Sequence, residues 1–270
     1  MALAVLLAAA TVVRAGESGG VELLYEFGAD EGAAAAEVLT RRLELLGIEG
    51  GRAEALKDGR RVALRLEARD RLEEVRAMAA RVGLLGLRRV VNPGTPGYEA
   101  RRKELADALK RGIDPAAASA IPLESMTPKE RERWPGGLRW YRNSRPSEAL
   151  REEWVLCEAD GRGITEKSFE EVRVAPSDSR PDDTGWTVHF RVKESFRGNM
   201  AALTRWTEGL RLAVILDGEV LVAPALRVEL RDGGTITTPE EGDARAVAVA
   251  IGGGSLPGRP TLVEERAIER

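Results

Sequence analysis

This 270-residue chain has one cysteine, one histidine and few aromatic residues, and each shortage removes a class of chemistry. A lone Cys157 excludes an intramolecular disulfide framework and any cysteine-rich metal site. It reads as a small buried hydrophobe rather than a nucleophile. A lone His189 gives histidine-based metal sites and Ser-His-Asp hydrolysis a single anchor. It also falls on the polar side of an alternating segment, where a solvated imidazole is the simple reading. Excess charge is missing too. The 41 basic residues nearly balance 44 acidic ones, so no electrostatic case for nucleic acid arises. No phosphate-loop, dinucleotide, zinc-protease or nucleophile-elbow motif occurs. Catalytic residues, cofactors and metals are therefore all expected to be none.

Long hydrophobic runs are scarce as well. The exception is Ala2 to Val13, apolar apart from Thr11 and followed by Val13-Arg-Ala15. Residues 1–15 read as a signal peptide, with small residues at the cleavage positions, or as the end of a membrane anchor. Twelve helical residues span only ~18 Å, short of a ~30 Å hydrocarbon core. Either reading implies export or membrane anchoring.

The remainder has enough apolar residues for packed cores, and its patterning is α+β. In residues 21–90, Val21, Leu23, Tyr25 and Phe27 alternate as a strand. Ala35, Leu39, Leu43 and Leu46 recur at helical spacing before a Gly47 stop. Asp58-Gly59 signals a turn into the strand Val62, Leu64, Leu66. Asp70 is placed to cap a helix carrying Leu72, Val75, Ala79 and Val82, and Leu84–Val90 supplies a last strand. The order is β-α-β-β-α-β, the split ferredoxin-like pattern.

Residues 91–153 read as an irregular, helical excursion. Short helices are expected at Glu99–Lys110 and after Thr127-Pro-Lys-Glu130, which fits a capping box. From Trp154 rhythm returns. Trp186, Val188, Phe190 and Val192 alternate with polar residues. A helix with Phe196, Met200, Leu203, Trp206 or Thr207, and Leu210 on one side follows. Arg211–Leu216 and Glu219–Ala223 flank Asp217-Gly218, a two-residue turn needing positive φ, and both faces are apolar, so this hairpin is central. Thr238-Pro-Glu-Glu241 looks like a helix start, with Ala244, Val247, Ala248 and Ile251 facing inward.

Possible sites dissolve on inspection. Gly252-Gly-Gly-Ser255 follows a helix rather than opening one, so it lacks the N-terminus that attracts an anion. Asp182-Asp183 reads as a solvated turn, and Glu240-Glu241 as capping. The pairs Arg41-Arg42, Arg60-Arg61 and Arg88-Arg89 read as surface. An enzyme is not expected.

The motifs nonetheless run in a recognisable order. Gly19-Gly20 precedes the first strand, Asp217-Gly218 is followed by Ala223-Pro224, and Gly254-Ser-Leu256-Pro257 is followed by Glu264-Glu-Arg. Arg41-Arg-Leu-Glu-Leu-Leu-Gly-Ile, Asp58-Gly-Arg-Arg-Val and Gly163-Ile-Thr-Glu-Lys-Ser-Phe fall between. This collinear set resembles the first large extracytoplasmic domain of SecD, a family of membrane subunits that assist protein export. The Asp-Leu ahead of the family's Gly-Gly is replaced by Gly16 and Glu17.

The resemblance implies a ferredoxin-like base from 21–90, an inserted α+β head subdomain over 154–256, and a return strand to the base in 257–270. It implies that the motif residues are architectural. It implies an extracytoplasmic, periplasmic or cell-envelope location, with unfolded preprotein or membrane subunits of the Sec translocon as partners. The membrane carboxylates of the family's proton path do not occur here, so proton coupling is not expected of this chain. The alternative is a secreted or periplasmic ligand-binding or scaffold module that keeps the fold without the export role. Trp186's strand and residues 91–153 are the candidate contact surfaces.

Overall fold

The structure is a computed structural model that describes residues 19–115, 120–143, 151–177, 185–205 and 209–268. The 1–15 leader, Asp182-Asp183 and Trp206-Thr207 lie outside the described residues. In chain order the elements are β1 (Gly20–Glu26), α1 (Gly32–Leu46), β2 (Arg52–Ala55), β3 (Arg61–Leu66), α2 (Leu72–Ala79), β4 (Leu85–Arg89), α3 (Tyr98–Lys110), α4 (Pro128–Arg133) and β5 (Leu138–Asn143). There follow β6 (Trp154–Glu158), β7 (Phe169–Pro176), β8 (Trp186–Val192), α5 (Arg197–Thr204), β9 (Leu212–Leu216), β10 (Glu219–Val222), β11 (Gly233–Thr238), α6 (Glu241–Gly252) and β12 (Thr261–Ile268). They divide into two compact units, Met1–Val82 with Ser255–Arg270, and Gly83–Gly254.

The first unit is a four-stranded sheet in the order β12-β1-β3-β2, antiparallel throughout. The apolar residues of β1 and β3 that share a face, with Leu23 opposite Leu64, are fully buried together with Leu39 and Leu43 of α1. α1 ends where Gly47 takes φ 69°, and its N–H bonds back to the last turn. α2 ends differently. Arg42, in a pair that reads as surface, is 1 % exposed. Its guanidinium donates to the carbonyls of Met78 (3.1 Å), Arg81 (2.7 Å) and Val82 (2.7 Å). A cation at the negative end of a helix satisfies carbonyls that the helix itself leaves unpaired. Asp70 is not the cap expected of it: Arg71 holds that position, with no side-chain hydrogen bond.

The sequence pattern puts Leu84–Val90 at the end of the 21–90 sheet, and the structure does not. β4 pairs with β9 in a five-stranded sheet of order β4-β9-β10-β5-β6 in the second unit, and β12 flanks β1 instead. Every residue of β9 is buried, so it needs a neighbour on both sides. β5 is the second correction. It lies within the expected irregular excursion, yet pairs parallel with β10 and antiparallel with β6. Trp140 and Tyr141 are adjacent and both buried, which breaks the alternation that Leu138, Arg139 and Trp140 begin.

This sheet curls so that its edges meet. Val90 bridges Cys157, and the Val91 N–H donates to Leu156 O at 2.8 Å. Val90, Tyr141, Val155, Cys157, Ala213, Ile215 and Val220 fill the inside. Outside, α3 and α4 cover a second cluster that includes Tyr98, Met126, Trp134 and Trp140. The capping box at Thr127 forms in full: Thr127 Oγ1 accepts from Glu130 N–H, and the Glu130 carboxylate accepts from Thr127 N–H.

Candidate functional site

The second unit also holds the three-stranded sheet β11-β8-β7. Its register sorts the side chains into two faces. Val188, Phe190 and Ile236 pair across one face, buried beneath Ala244, Val247, Ala248 and Ile251 of α6. The small Ala244 and Ala248 allow the helix to lie close. α6 starts at Glu241, later than the Thr238 cap that the sequence suggests. Thr238 remains in the β11 ladder opposite Trp186, and its hydroxyl donates to Glu240 O.

The opposite face is wet. Arg173, His189 and Thr235 stand side by side across the three strands, with Glu171 and Arg191 alongside. Arg191 pairs with Glu171 at 3.1 Å across an exposed surface, which contributes little to stability. Between these side chains lies a shallow cavity of about 170 Å³. The chemistry is that of a polar contact surface: the register neighbours of His189 are Arg173 and Thr235, both exposed. Both β7 and β11 are edge strands, and no further strand pairs with either among the described residues. Open edges of this kind accept an extended chain through backbone hydrogen bonds.

A larger cavity, about 380 Å³, lies at the end of the five-stranded sheet beside Tyr141, Trp154 and the Asp217-Gly218 turn. Among the described residues no group of three histidine, cysteine or carboxylate side chains is placed to hold a metal.

The motif residues are not gathered into one place. Gly19 and Gly20 open β1, where a Cβ on Gly20 would come within 2.7 Å of Leu66 O. Asp217 (φ 52°) and Gly218 (φ 86°) make the β9–β10 turn. Ala223 packs inside the curled sheet, and Pro224 O accepts from Leu212 N–H. Gly254 has φ 79°, Leu256 is buried and donates its N–H to Val82 O, and Pro257 is exposed. What sequence reasoning missed is Arg89, taken as surface: its side chain is only 16 % exposed and its Nε donates to the buried Glu158 at 2.6 Å. The two residues are 69 apart, and no local spacing announces them.

Residues 151–258 match the family model described as SecDF, P1 head subdomain. A solved structure described as "Structure and function of a membrane component SecDF that enhances protein export" aligns over 92 % of this chain and 100 % of its own, at 18 % identity and a TM-score of 0.53.

Residues 151–258 are thus similar to the SecDF P1 head subdomain, and the chain shares the fold of that SecDF structure.

A second SecDF structure, described as a super-membrane-facing form, aligns over 93 % of this chain at 18 % identity and a TM-score of 0.54. This chain spans 30 % of that one's length. At such identities the structural likeness concerns the fold of the SecD domain alone. No curated protein matches the sequence. Among the described residues no helix is long and apolar enough to cross a membrane.

Proposed function

We propose that this domain acts outside the cytoplasm in Sec-dependent export, contacting emerging preprotein or the membrane subunits of the translocon, while proton coupling belongs to a membrane region. The observation that carries this reading is the match of residues 151–258 to the SecDF P1 head subdomain. The open edges of β7 and β11 support it, because an unfolded chain offers unsatisfied backbone groups that a sheet edge can pair. In this reading the first unit is a ferredoxin-like base. Its strand order β12-β1-β3-β2 with two helices fits that pattern, with β12 as the fourth strand. The contact is binding rather than catalysis, and a leader or anchor in residues 1–15 would account for export.

The test is direct. A photo-crosslinking side chain at Arg173 or Thr235, both on the wet face, should trap an unfolded presecretory peptide or a translocon subunit in Sec membranes. Binding should saturate in the micromolar range and weaken when Val174→Pro removes a ladder donor. Indifference to both partners would sink the export reading. A second reading, a ligand-binding module on the same fold, is favoured by one observation, a compact cationic cavity beside Trp134.

A further inference from the structure

That cavity, about 300 Å³, opens where β4 and α4 end and β9 begins. Two guanidinium groups flank one indole there. Arg89 Cζ lies 5.1 Å from the Trp134 ring centroid and Arg133 Cζ lies 5.5 Å from it. Val90 and Leu210 add apolar wall, while Asn92 and Thr95 add polar groups. Glu158, 1 % exposed, holds Arg89 by its Nε at 2.6 Å. The terminal nitrogens of Arg89 make no other hydrogen bond among the described residues, and Arg133 is exposed with no ion pair there.

The charges decide the ligand class. Two guanidinium groups face the pocket, and the one buried carboxylate, Glu158, is shared between Arg89 and Arg162 (3.9 Å), so the site keeps a positive surplus. A ligand without an acceptor would cover guanidinium donors without satisfying them, and a neutral acceptor bonds them more weakly than a charged one. The planar fork of arginine suits a carboxylate, bound by paired N–H donors. Indole and leucine suit an apolar body, and the volume is at the small end of the range for ligand pockets.

We propose that this pocket binds a small monocarboxylate with an apolar body, its carboxylate on Arg89 and Arg133 and its body against Trp134 and Leu210. The proposal stands apart from the export reading, since it needs neither preprotein nor translocon. The probe is phenylacetate, compared with its neutral isostere phenylacetamide and with diethyl phosphate, and added to the whole chain. Binding is read from the Trp134 indole N–H resonance, assigned with Trp134→Phe. Phenylacetate should shift that resonance saturably, and Arg133→Gln should weaken binding by about tenfold or more, the loss expected of a charge-assisted hydrogen bond. Arg133 is exposed, so this variant should melt with the parent chain. Arg89→Gln strands Glu158 and is expected to melt lower, so the Arg133 comparison carries the test. Equal binding of phenylacetamide, tighter binding of diethyl phosphate, an unchanged affinity in Arg133→Gln, or no saturable shift would each overturn the proposal.

Discussion

The carboxylate of Asp217 holds the backbone of Gly83: Oδ1 and Oδ2 accept its N–H at 2.9 and 3.1 Å, and Oδ1 also accepts from Leu84 N–H at 2.8 Å. In return Asp217 N–H donates to Leu84 O at 3.0 Å. The β9–β10 turn is thereby fastened to the start of β4, and the fastening fixes the register in which Leu85 faces Leu216.

Asp217→Ala should cost about 2–3 kcal/mol, because hydrogen bonds to a charged acceptor are lost and a Cβ-bearing residue without a polar side chain is left at φ 52°. Asp217→Asn keeps one acceptor oxygen and tolerates the left-handed conformation, so it should cost less than half as much. Urea unfolding checks this, with a lower midpoint at unchanged slope. Gly218→Ala isolates the backbone contribution. A Cβ there meets nothing within 4 Å, so the φ of 86° alone should destabilise by about 1 kcal/mol. Equal stability of all three variants would show that the turn does not hold the register.

What could be read from sequence divides along the same line. The Asp217-Gly218 turn, the Gly47 stop and the Thr127–Glu130 capping box are local, since the interacting atoms lie within a few residues. The partner of Asp217 is 134 residues away, and nothing in either segment names the other. The placement of β4 failed for that reason, because alternation tells that a strand exists and not which strand it joins. Thr238 shows a local signal overruled: its cap-like sequence loses to a place in the β11 ladder. The cavity beside Trp134 depends on Arg89 and Arg133 meeting across chain distance, which no local spacing announces.

A buried ion pair gives the second prediction. Arg101 Nε donates to Glu130 Oε1 at 3.1 Å, with both side chains under 5 % exposed at 4 % and 3 %. Arg101 also reaches Ser125 O at 2.6 Å and Glu104 at 2.8 Å. Glu130→Ala leaves Arg101 buried beside an empty place and removes half of the capping box, so about 3–5 kcal/mol should be lost. Thr127→Ala removes only the cap and should cost about 1 kcal/mol. Thermal or urea melts that ranked the two variants equally would refute the pairing.

The same glutamate makes stability depend on pH. Burial pushes its carboxyl up, but hydrogen bonds from Arg101 and Thr127 outweigh that and hold it below the usual 4.5. A carboxylate depressed on folding stabilises the fold above its unfolded value, and that contribution is lost as pH falls through the folded value. Stability should therefore decline below about pH 4.5 more steeply in the parent chain than in Glu130→Gln. Parallel acid titrations of the two would remove Glu130 from the account.

Asp58 supplies a spectroscopic check in the first unit. The backbone N–H groups of Arg61 and Arg60, then the Arg61 side chain, hold its carboxyl down at about 2. The group is exposed, so the shift comes from the turn itself rather than from enclosure. An NMR titration should find Asp58 still ionised at pH 3, where an ordinary aspartate is mostly protonated. An inflection near 3.8 would mean that the turn does not keep its hydrogen bonds in solution.

Cys157 tests the curled sheet from inside. It is fully buried, pairs with Arg139 in the ladder and bridges Val90 across the seam. Burial pushes its thiol well above the usual range, against a smaller opposing pull from Arg88. The sulfur is thus neutral and enclosed, and a disulfide reagent needs an exposed thiolate. Native chain at pH 8 should react only through opening of the sheet, orders of magnitude more slowly than chain in denaturant, with a rate that tracks stability when reclosing is fast. Cys157→Ser should cost about 1–3 kcal/mol, since a hydroxyl in that apolar setting has no ready acceptor. Cys157→Ala removes only the sulfur's contacts and should cost less, which separates polarity from volume. A raised thiol also means that the unfolded chain loses its proton first, so this contribution is complete below pH 9 and falls as pH rises further. Rapid labelling of the native chain would show that β4 and β6 do not stay joined, and the enclosed core around Val90, Val155 and Ile215 would have to be given up with it.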